Sequence, residues 1–325
     1  MTAVQAAVPP ARRTVRQWWH WTERRFARAR LAYGHGTTNA RDEAAWLVCH
    51  VLGIGFDQFG GSLERLVSDR TARRLVRLAD RRVATRRPLA YLLREAWLQG
   101  RRFYVDSRVI VPRSHIAELL PHGLAPCLRD RAPRRILDLC TGSGCLAILA
   151  ALAFPRARVD ASDLSRAALA VAGRNVLAYR LGRRVRLVRA DLFSGLGATR
   201  YDLILCNPPY VSDRAMARLP PEFRREPALA LAGGRDGLDF VRRLTAQAAA
   251  HLTPRGVLVV EVGDGRLAVE RAFPGTPFVW LPTGGGTTAV FALERAALCE
   301  PHRPGEASAP ATQERRRPRG ARPSA

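Results

Sequence analysis

The stretch ILDLCTGSGCLAI, residues 136–148, runs from a short apolar segment into Thr141-Gly142-Ser143-Gly144 and out into an unbroken aliphatic run. A brief β-branched and leucine-rich segment, a glycine pair and a longer apolar segment read as strand, tight loop and buried helix. Glycines let the backbone turn sharply and come close to a ligand, and the first turn of the following helix offers unpaired N–H groups. The dinucleotide fingerprint GxGxxG is incomplete, because Ala147 stands at the third glycine's place. No lysine follows the loop, which excludes a phosphate-gripping Walker motif. The same region would attract a hydropathy scan up to Phe154, but Asp138 and the glycines interrupt it, so it does not read as a membrane span.

Working outward, similar short runs recur at 158–162, 185–189, 203–206 and 257–262, separated by helical stretches such as 166–179 and 238–252. Alternation of this kind predicts an α/β fold, Rossmann-like, with a mostly parallel sheet covered by helices on both faces. Two further strands at 278–281 and 289–293 flank TGGGTT and predict a C-terminal antiparallel hairpin, which brings the expected sheet to seven strands. Upstream, residues 14–86 have helical periodicity, with Trp18, Trp19, Trp21, Phe26, Trp46, Leu47 and Leu52 as the apolar set. The stretch FYVDSRVIV, 103–111, turns strand-like and is expected to pair with 96–99. The expected organisation is a small helical domain over 1–95, a connecting hairpin over 96–112, the α/β domain over 113–298 and a disordered, arginine-rich tail over 299–325.

The candidate ligand site follows from what stands at the strand ends. Asp163 lies about 20 residues beyond the glycines, where a carboxylate accepts both hydroxyls of a ribose. Asp191 ends the next strand, in reach of an adenine edge. A glycine loop, two carboxylates and no phosphate-binding lysine describe a nucleoside ligand without phosphates, which S-adenosylmethionine fits. The cofactor-side candidates are Asp138, Cys140, Thr141, Gly142, Ser143, Gly144, Asp163, Asp191 and Leu192, joined by Asn207.

After the fourth strand comes NPPY, residues 207–210. Proline has no N–H, so Pro208 and Pro209 fix a rigid corner and point carbonyls outward. The corner thus presents an amide, Asn207, and a phenol, Tyr210, at the end of a buried strand.

Composition narrows the partners. The 325 residues carry 53 arginines and no lysine against 28 acidic residues, a formal charge of +25. Such a balance favours an acidic partner, nucleic acid or a nucleoprotein, and an arginine-only base set also carries a coding bias. Six cysteines form no CxxC pair and no metal-ligand spacing, so they read as buried thiols of a reducing cytoplasm, and no metal is expected. The first residues do not resemble a signal peptide.

The motif order DLCTGSG, SDLS, ADLF, NPPY resembles the class I S-adenosylmethionine-dependent methyltransferases over about residues 113–293. In that superfamily an NPPY corner implies methylation of a planar nitrogen, which makes Asn207, Pro208, Pro209 and Tyr210 the catalytic candidates: the Asn207 side-chain carbonyl and the Pro208 main-chain carbonyl can accept both N–H bonds of an –NH₂ group, and Tyr210 can stack on its plane. Residues 87–120, joined to a helical N-terminal part, are similar to the HemK/Prm family of protein-glutamine methyltransferases. AWLQGRRFYVD with Pro112-Arg113-Ser114, EPALALAGGRDGLDF and PFVWLPTGGGTTAVFAL resemble the branch acting on a glutamine of the third large-subunit ribosomal protein. His115 stands where that family commonly has proline, Leu192 where the release-factor branch often has tryptophan, and the tail has no family counterpart. The resemblance implies S-adenosylmethionine as cofactor and a ribosomal protein as substrate, with rRNA or an assembling subunit nearby. It also implies N-terminal helices that hold the substrate. NPPY by itself leaves open a release-factor glutamine or a nucleobase amine in RNA or DNA, and a non-catalytic RNA-binding factor would keep it only as a relic.

Overall fold

The computed structural model describes residues 13–128, 131–284 and 289–299. The N-terminal part is four helices with local start signals. Thr14 forms a capping box with Gln17 at the head of α1 (Val15–Arg28), Asn39 caps α2 (Ala40–Leu52), and Ser68 caps α3 (Asp69–Thr85). The short α4 (Leu89–Leu93) follows Pro88. Trp18, Phe26, Trp46, Leu47 and Leu75 are buried between them, while Trp19, Trp21 and Leu52 only pack at the edge. Arg82 of α3 is also fully buried, its Nε 2.7 Å from the Glu43 carboxylate of α2.

The connecting hairpin is present but shorter and earlier than the sequence suggests. Strands β1 (Ala96–Leu98) and β2 (Arg101–Phe103) are joined by Gln99 and Gly100, both at positive φ, as a two-residue hairpin turn requires. Beyond Phe103 the chain stops pairing. The Asp106 carboxylate accepts the main-chain N–H of Arg108, and Val109 N–H turns back to the Asp106 carbonyl. Val105, Val109 and Val111 are buried without a strand partner. Their segment is satisfied by side chains instead: Tyr104 N–H donates to Asn175 Oδ1 at 2.7 Å and Val111 N–H to Glu226 Oε1 at 2.8 Å.

Two short helices, α5 (Ile116–Leu119) and α6 (Ala125–Leu128), lead into the α/β part. It consists of β3 (Arg135–Leu139), α7 (Cys145–Ala153), β4 (Arg158–Asp163), α8 (Arg166–Ala178), β5 (Val185–Arg189), β6 (Tyr201–Cys206), α9 (Asp213–Met216), α10 (Asp239–Ala248), β7 (Leu252–Glu261), α11 (Arg266–Ala272), β8 (Val279–Leu281), β9 (Val290–Glu294) and α12 (Arg295–Cys299). The seven strands lie in the order β5-β4-β3-β6-β7-β9-β8, all parallel except β9, which runs antiparallel to both β7 and β8. Helix α7 is apolar on nearly every side because it is sandwiched, with Cys145 to Ala151 all buried. Among the described residues no helix is long and apolar enough to cross a membrane. The hairpin turn at 285–288 and the tail from 300 onward lie outside the described residues.

Candidate active site

Sheet register puts the site together. Leu139 pairs with Ser162 on one side and with Cys206 on the other, and Cys206 pairs with Val260. The next residue of each strand, Cys140, Asp163, Asn207 and Glu261, therefore stands in one row at the carboxyl edge. Between β3 and β6 the strand order reverses direction, the place where open α/β sheets leave a crevice. A cavity of about 290 Å³ opens there, lined by Cys140, Gly142, Asp163, Asp191, Leu192, Asn207 and Pro209 among others.

At the glycine loop the sequence-predicted residues divide into two layers. Gly142, at φ 55°, donates its N–H to Asp163 Oδ2 at 2.9 Å, and Ser165 N–H donates to Oδ1 at 2.8 Å. Burial raises the Asp163 carboxyl above its ordinary pKa despite these bonds. Asp138, Thr141, Ser143 and Gly144 lie behind this wall rather than on the cavity lining. Asp138 is fully buried and accepts the Thr141 hydroxyl at 2.5 Å and the Ala147 N–H at 3.0 Å, so it holds the loop onto the start of α7. Burial pushes its carboxyl up to about 7. A side chain at Gly144 would bring its Cβ within 3.1 Å of Ala172 Cβ on α8, and its φ of 80° suits glycine alone. Cys140 and Leu192, both at the cavity, are themselves at positive φ, a strained conformation that clusters at functional sites.

The chemistry of the lining indicates what it can hold. Asp191 faces Arg243, whose Nη2 is 2.9 Å from both carboxylate oxygens, and Arg108 is held at 2.6 Å by Asp106. Both arginines of the lining are thus neutralised, which disfavours phosphates. Carboxylate oxygens with lone pairs to spare beside Leu164, Leu192 and Phe240 suit an uncharged sugar and an apolar ring instead.

On the other side of Asn207 lies a second pocket of about 190 Å³, lined by Arg113, Asn207, Pro208, Tyr210 and Phe223. Asn207 is the member of the NPPY corner that borders both spaces. Its Nδ2 donates to the Arg113 carbonyl at 3.2 Å, which leaves Oδ1 as the acceptor. Tyr210 fits because glycines surround it. A Cβ at Gly263 would meet its ring at 2.8 Å, one at Gly233 its Cα at 2.8 Å, and one at Gly237 would overlap its carbonyl oxygen. Burial pushes the Tyr210 hydroxyl up to about 12.

The residues that hold this corner were not identified from the sequence. Arg113 makes a two-pronged ion pair with Glu226, Nη1 to Oε1 at 2.7 Å and Nη2 to Oε2 at 2.6 Å. Burial alone would raise the Glu226 carboxyl; Arg113 and the nearby His35, 3.6 Å away, more than offset that and hold it down at about 2. The His35 and Phe223 rings lie 4.2 Å apart, tilted by 44°, and Glu222 is met by Arg86 at 2.9 Å and by Arg82 at 3.6 Å. The helical part therefore grips the loop that closes the second pocket. Glu261 accepts from Ser114 Oγ at 2.6 Å and from His115 N–H at 2.9 Å, and burial raises its carboxyl. Glu261 had a readable signal, a carboxylate ending a buried strand level with Asn207; Glu226 stood only as the first residue of the family-like stretch 226–240, with nothing to show its partner, and His35 had no signal. Among the described residues no cluster of metal-ligating side chains occurs.

Curated relatives of this chain share one name. A family model described as the methyltransferase small domain matches residues 122–226, and one described as the PrmC N-terminal domain matches residues 17–93. A ribosomal protein uL3 glutamine methyltransferase of Bordetella pertussis is 52% identical over 286 residues, 88% of this chain and 96% of its own. The protein of the same name from Burkholderia pseudomallei is 49% identical over 298 residues, covering 89% of this chain and 97% of its own. Among solved structures, a methyltransferase from Pyrococcus furiosus aligns with a TM-score of 0.45 and 19% identity, over 70% of this chain and 99% of that one. With about half of the aligned residues identical to relatives matched over nearly their full length, the chain belongs to the ribosomal protein uL3 glutamine methyltransferase family.

Proposed function

We propose that this enzyme methylates the side-chain amide nitrogen of a glutamine in ribosomal protein uL3, with S-adenosylmethionine as methyl donor. The observation that carries the reading is the position of Asn207, on the wall between two pockets with its NH₂ already committed to Arg113. An amide nitrogen is a poor nucleophile because its lone pair is delocalised into the carbonyl. The Asn207 Oδ1 and Pro208 carbonyl accept its two N–H bonds, fix its orientation and favour the positive charge that develops on it. Tyr210 and the surrounding pocket exclude water and hold the amide plane. Bound in the larger cavity, S-adenosylmethionine supplies an electrophilic methyl group. Asp163 would accept the ribose hydroxyls, Cys140, Gly142 and Leu192 would line the nucleoside, and Asp191 would meet the adenine side. Asp138, Thr141, Ser143 and Gly144 would act from behind by shaping the loop.

The division into a substrate-holding helical part up to residue 95 and a catalytic part from 113 belongs to the same reading, supported by the clamp from His35, Arg82 and Arg86 onto the 222–226 loop. A ribosomal substrate places the reaction in the cytoplasm, and the +25 charge favours uL3 presented with rRNA or an assembling subunit. The test is transfer of labelled methyl from S-adenosylmethionine to unmodified uL3, free and within ribosomal precursor particles, with peptide mapping. Label on a uL3 glutamine is expected. Label confined to RNA, or transfer to release factors with uL3 left unmodified, would overturn the assignment.

A further inference from the structure

Helix α3 carries an arginine face that neither the fold nor the active site uses. Arg70, Arg73, Arg74, Arg77 and Arg81 are all exposed, and at 100° per residue they fall within about 100° of arc. Leu75, Ala79 and Arg82, which are buried, occupy the opposite side. The face runs about 16 Å along the helix. Among the described residues, none of Arg70, Arg73, Arg77 and Arg81 pairs with a carboxylate, in contrast to Arg82 on the buried side.

The face does not end at the helix. Arg81 opens into a groove of about 340 Å³ together with Arg87, Arg94, Tyr91 and Tyr104. The one carboxylate lining that groove, Asp106, is already taken by Arg108 and by the Tyr104 hydroxyl. Arg108 in turn borders the larger active-site cavity. Unpaired arginines thus run from the head of α3 to Arg87 and Arg94 in that groove, and Arg108, already held by Asp106, marks where the groove meets the mouth of the site.

We propose that this strip is an RNA-binding surface that docks the RNA-associated form of the substrate by its phosphates. The location next to the mouth rests on the methyl-transfer reading above; the binding itself does not. Among the described residues Arg70, Arg73, Arg77, Arg81, Arg87 and Arg94 meet no carboxylate, and such a line of guanidinium groups matches a line of phosphates, each contact releasing a condensed counterion. A protein that itself binds rRNA through basic side chains would be repelled by such a strip when bare and drawn to it when its RNA is present.

The test is fluorescence anisotropy of a labelled RNA hairpin with the full chain across a salt series, without methyl donor or protein substrate. The Arg70→Ala/Arg77→Ala/Arg81→Ala variant should bind at least tenfold more weakly at low salt and flatten the log–log salt slope by about 2 to 3, near 0.9 per lost contact. Arg135→Ala/Arg158→Ala/Arg183→Ala, at the opposite end of the sheet, should leave affinity within about twofold of the unaltered chain. Equal loss in both variants, loss only in the second, or displacement of the RNA by polyglutamate of matched charge would overturn the proposal. Since the assay contains no methyl donor, its failure leaves methyl transfer to uL3 standing, and failure of methyl transfer leaves the RNA result standing.

Discussion

Gly142 and Asp163 meet across 21 residues through one main-chain N–H, at the ends of β3 and β4, which are already paired. Arg113 and Glu226 meet across 113 residues through two side chains, with His35 arriving from a third region of the chain. The glycine-loop side of the site is thus fixed by sheet register and local turns, whereas the Asn207 corner is fixed by buried charges brought together from distant segments. The first kind of construction relies on main-chain donors that sheet register and local turns bring to the Asp138 and Asp163 carboxylates. The second depends on single side chains whose loss leaves a partner buried and unpaired.

The largest expected effect comes from removing one such partner. Glu226→Ala leaves Arg113 and Val111 N–H without their acceptor and should destabilise the protein by about 3 to 5 kcal/mol in denaturant titration. Asn207→Ala separates the two sides in a different way. It should lower kcat by about 10²- to 10³-fold, as loss of a charge-stabilising hydrogen-bond group does, while titration calorimetry finds S-adenosylmethionine affinity changed by less than about threefold. If cofactor affinity collapses along with turnover, the two sides are not independent.

Acid should weaken the same corner. The folded carboxyl of Glu226 sits at about 2, below its ordinary value of 4.5, so its contribution is complete above pH 4.5 and is lost as pH falls toward 2. Protonating it in the folded state rather than the unfolded one costs about 3 kcal/mol, at about 1.4 kcal/mol for each tenfold difference in acidity. Denaturant midpoints measured from pH 6 downward should fall across that window, and Glu226→Gln should flatten the fall. The smallest effect is expected at Asp191→Asn. Its ion pair with Arg243 is half-exposed and contributes less than about 1 kcal/mol, so stability should hardly move. Cofactor affinity should drop severalfold if Asp191 meets the adenine side, and an unchanged affinity would remove it from the site.

How much of this was legible follows from the same contrast. The strand–loop–helix at 136–148 and the βα alternation after it are local patterns, and the seven-stranded sheet with its single antiparallel strand answers to them. NPPY stands out because prolines after a buried strand are chemically conspicuous. The misplacement of strand β2 has a local cause: alternation in FYVDSRVIV reports that Val105, Val109 and Val111 are buried, but not whether another strand lies beside them. Glu226 is the clearest miss. A glutamate before a proline looks like any loop residue until Arg113 and His35 are folded around it.

The Glu226 bridge also has a meaning for how the protein comes into being. As the chain is made, α1 to α4 are complete well over a hundred residues before Glu222 and Glu226 exist. During that interval Arg82 has Glu43 but not Glu222, and Arg113 has no carboxylate to meet. The helical part and the glycine loop rest on contacts available early, while the Asn207 corner depends on some of the most widely separated ones in the chain. Its geometry is therefore expected to form after that of the glycine loop in nascent protein and to be lost when the helical part pulls away, and pulse-labelled hydrogen exchange should then find a glycine loop protected before the amide pocket.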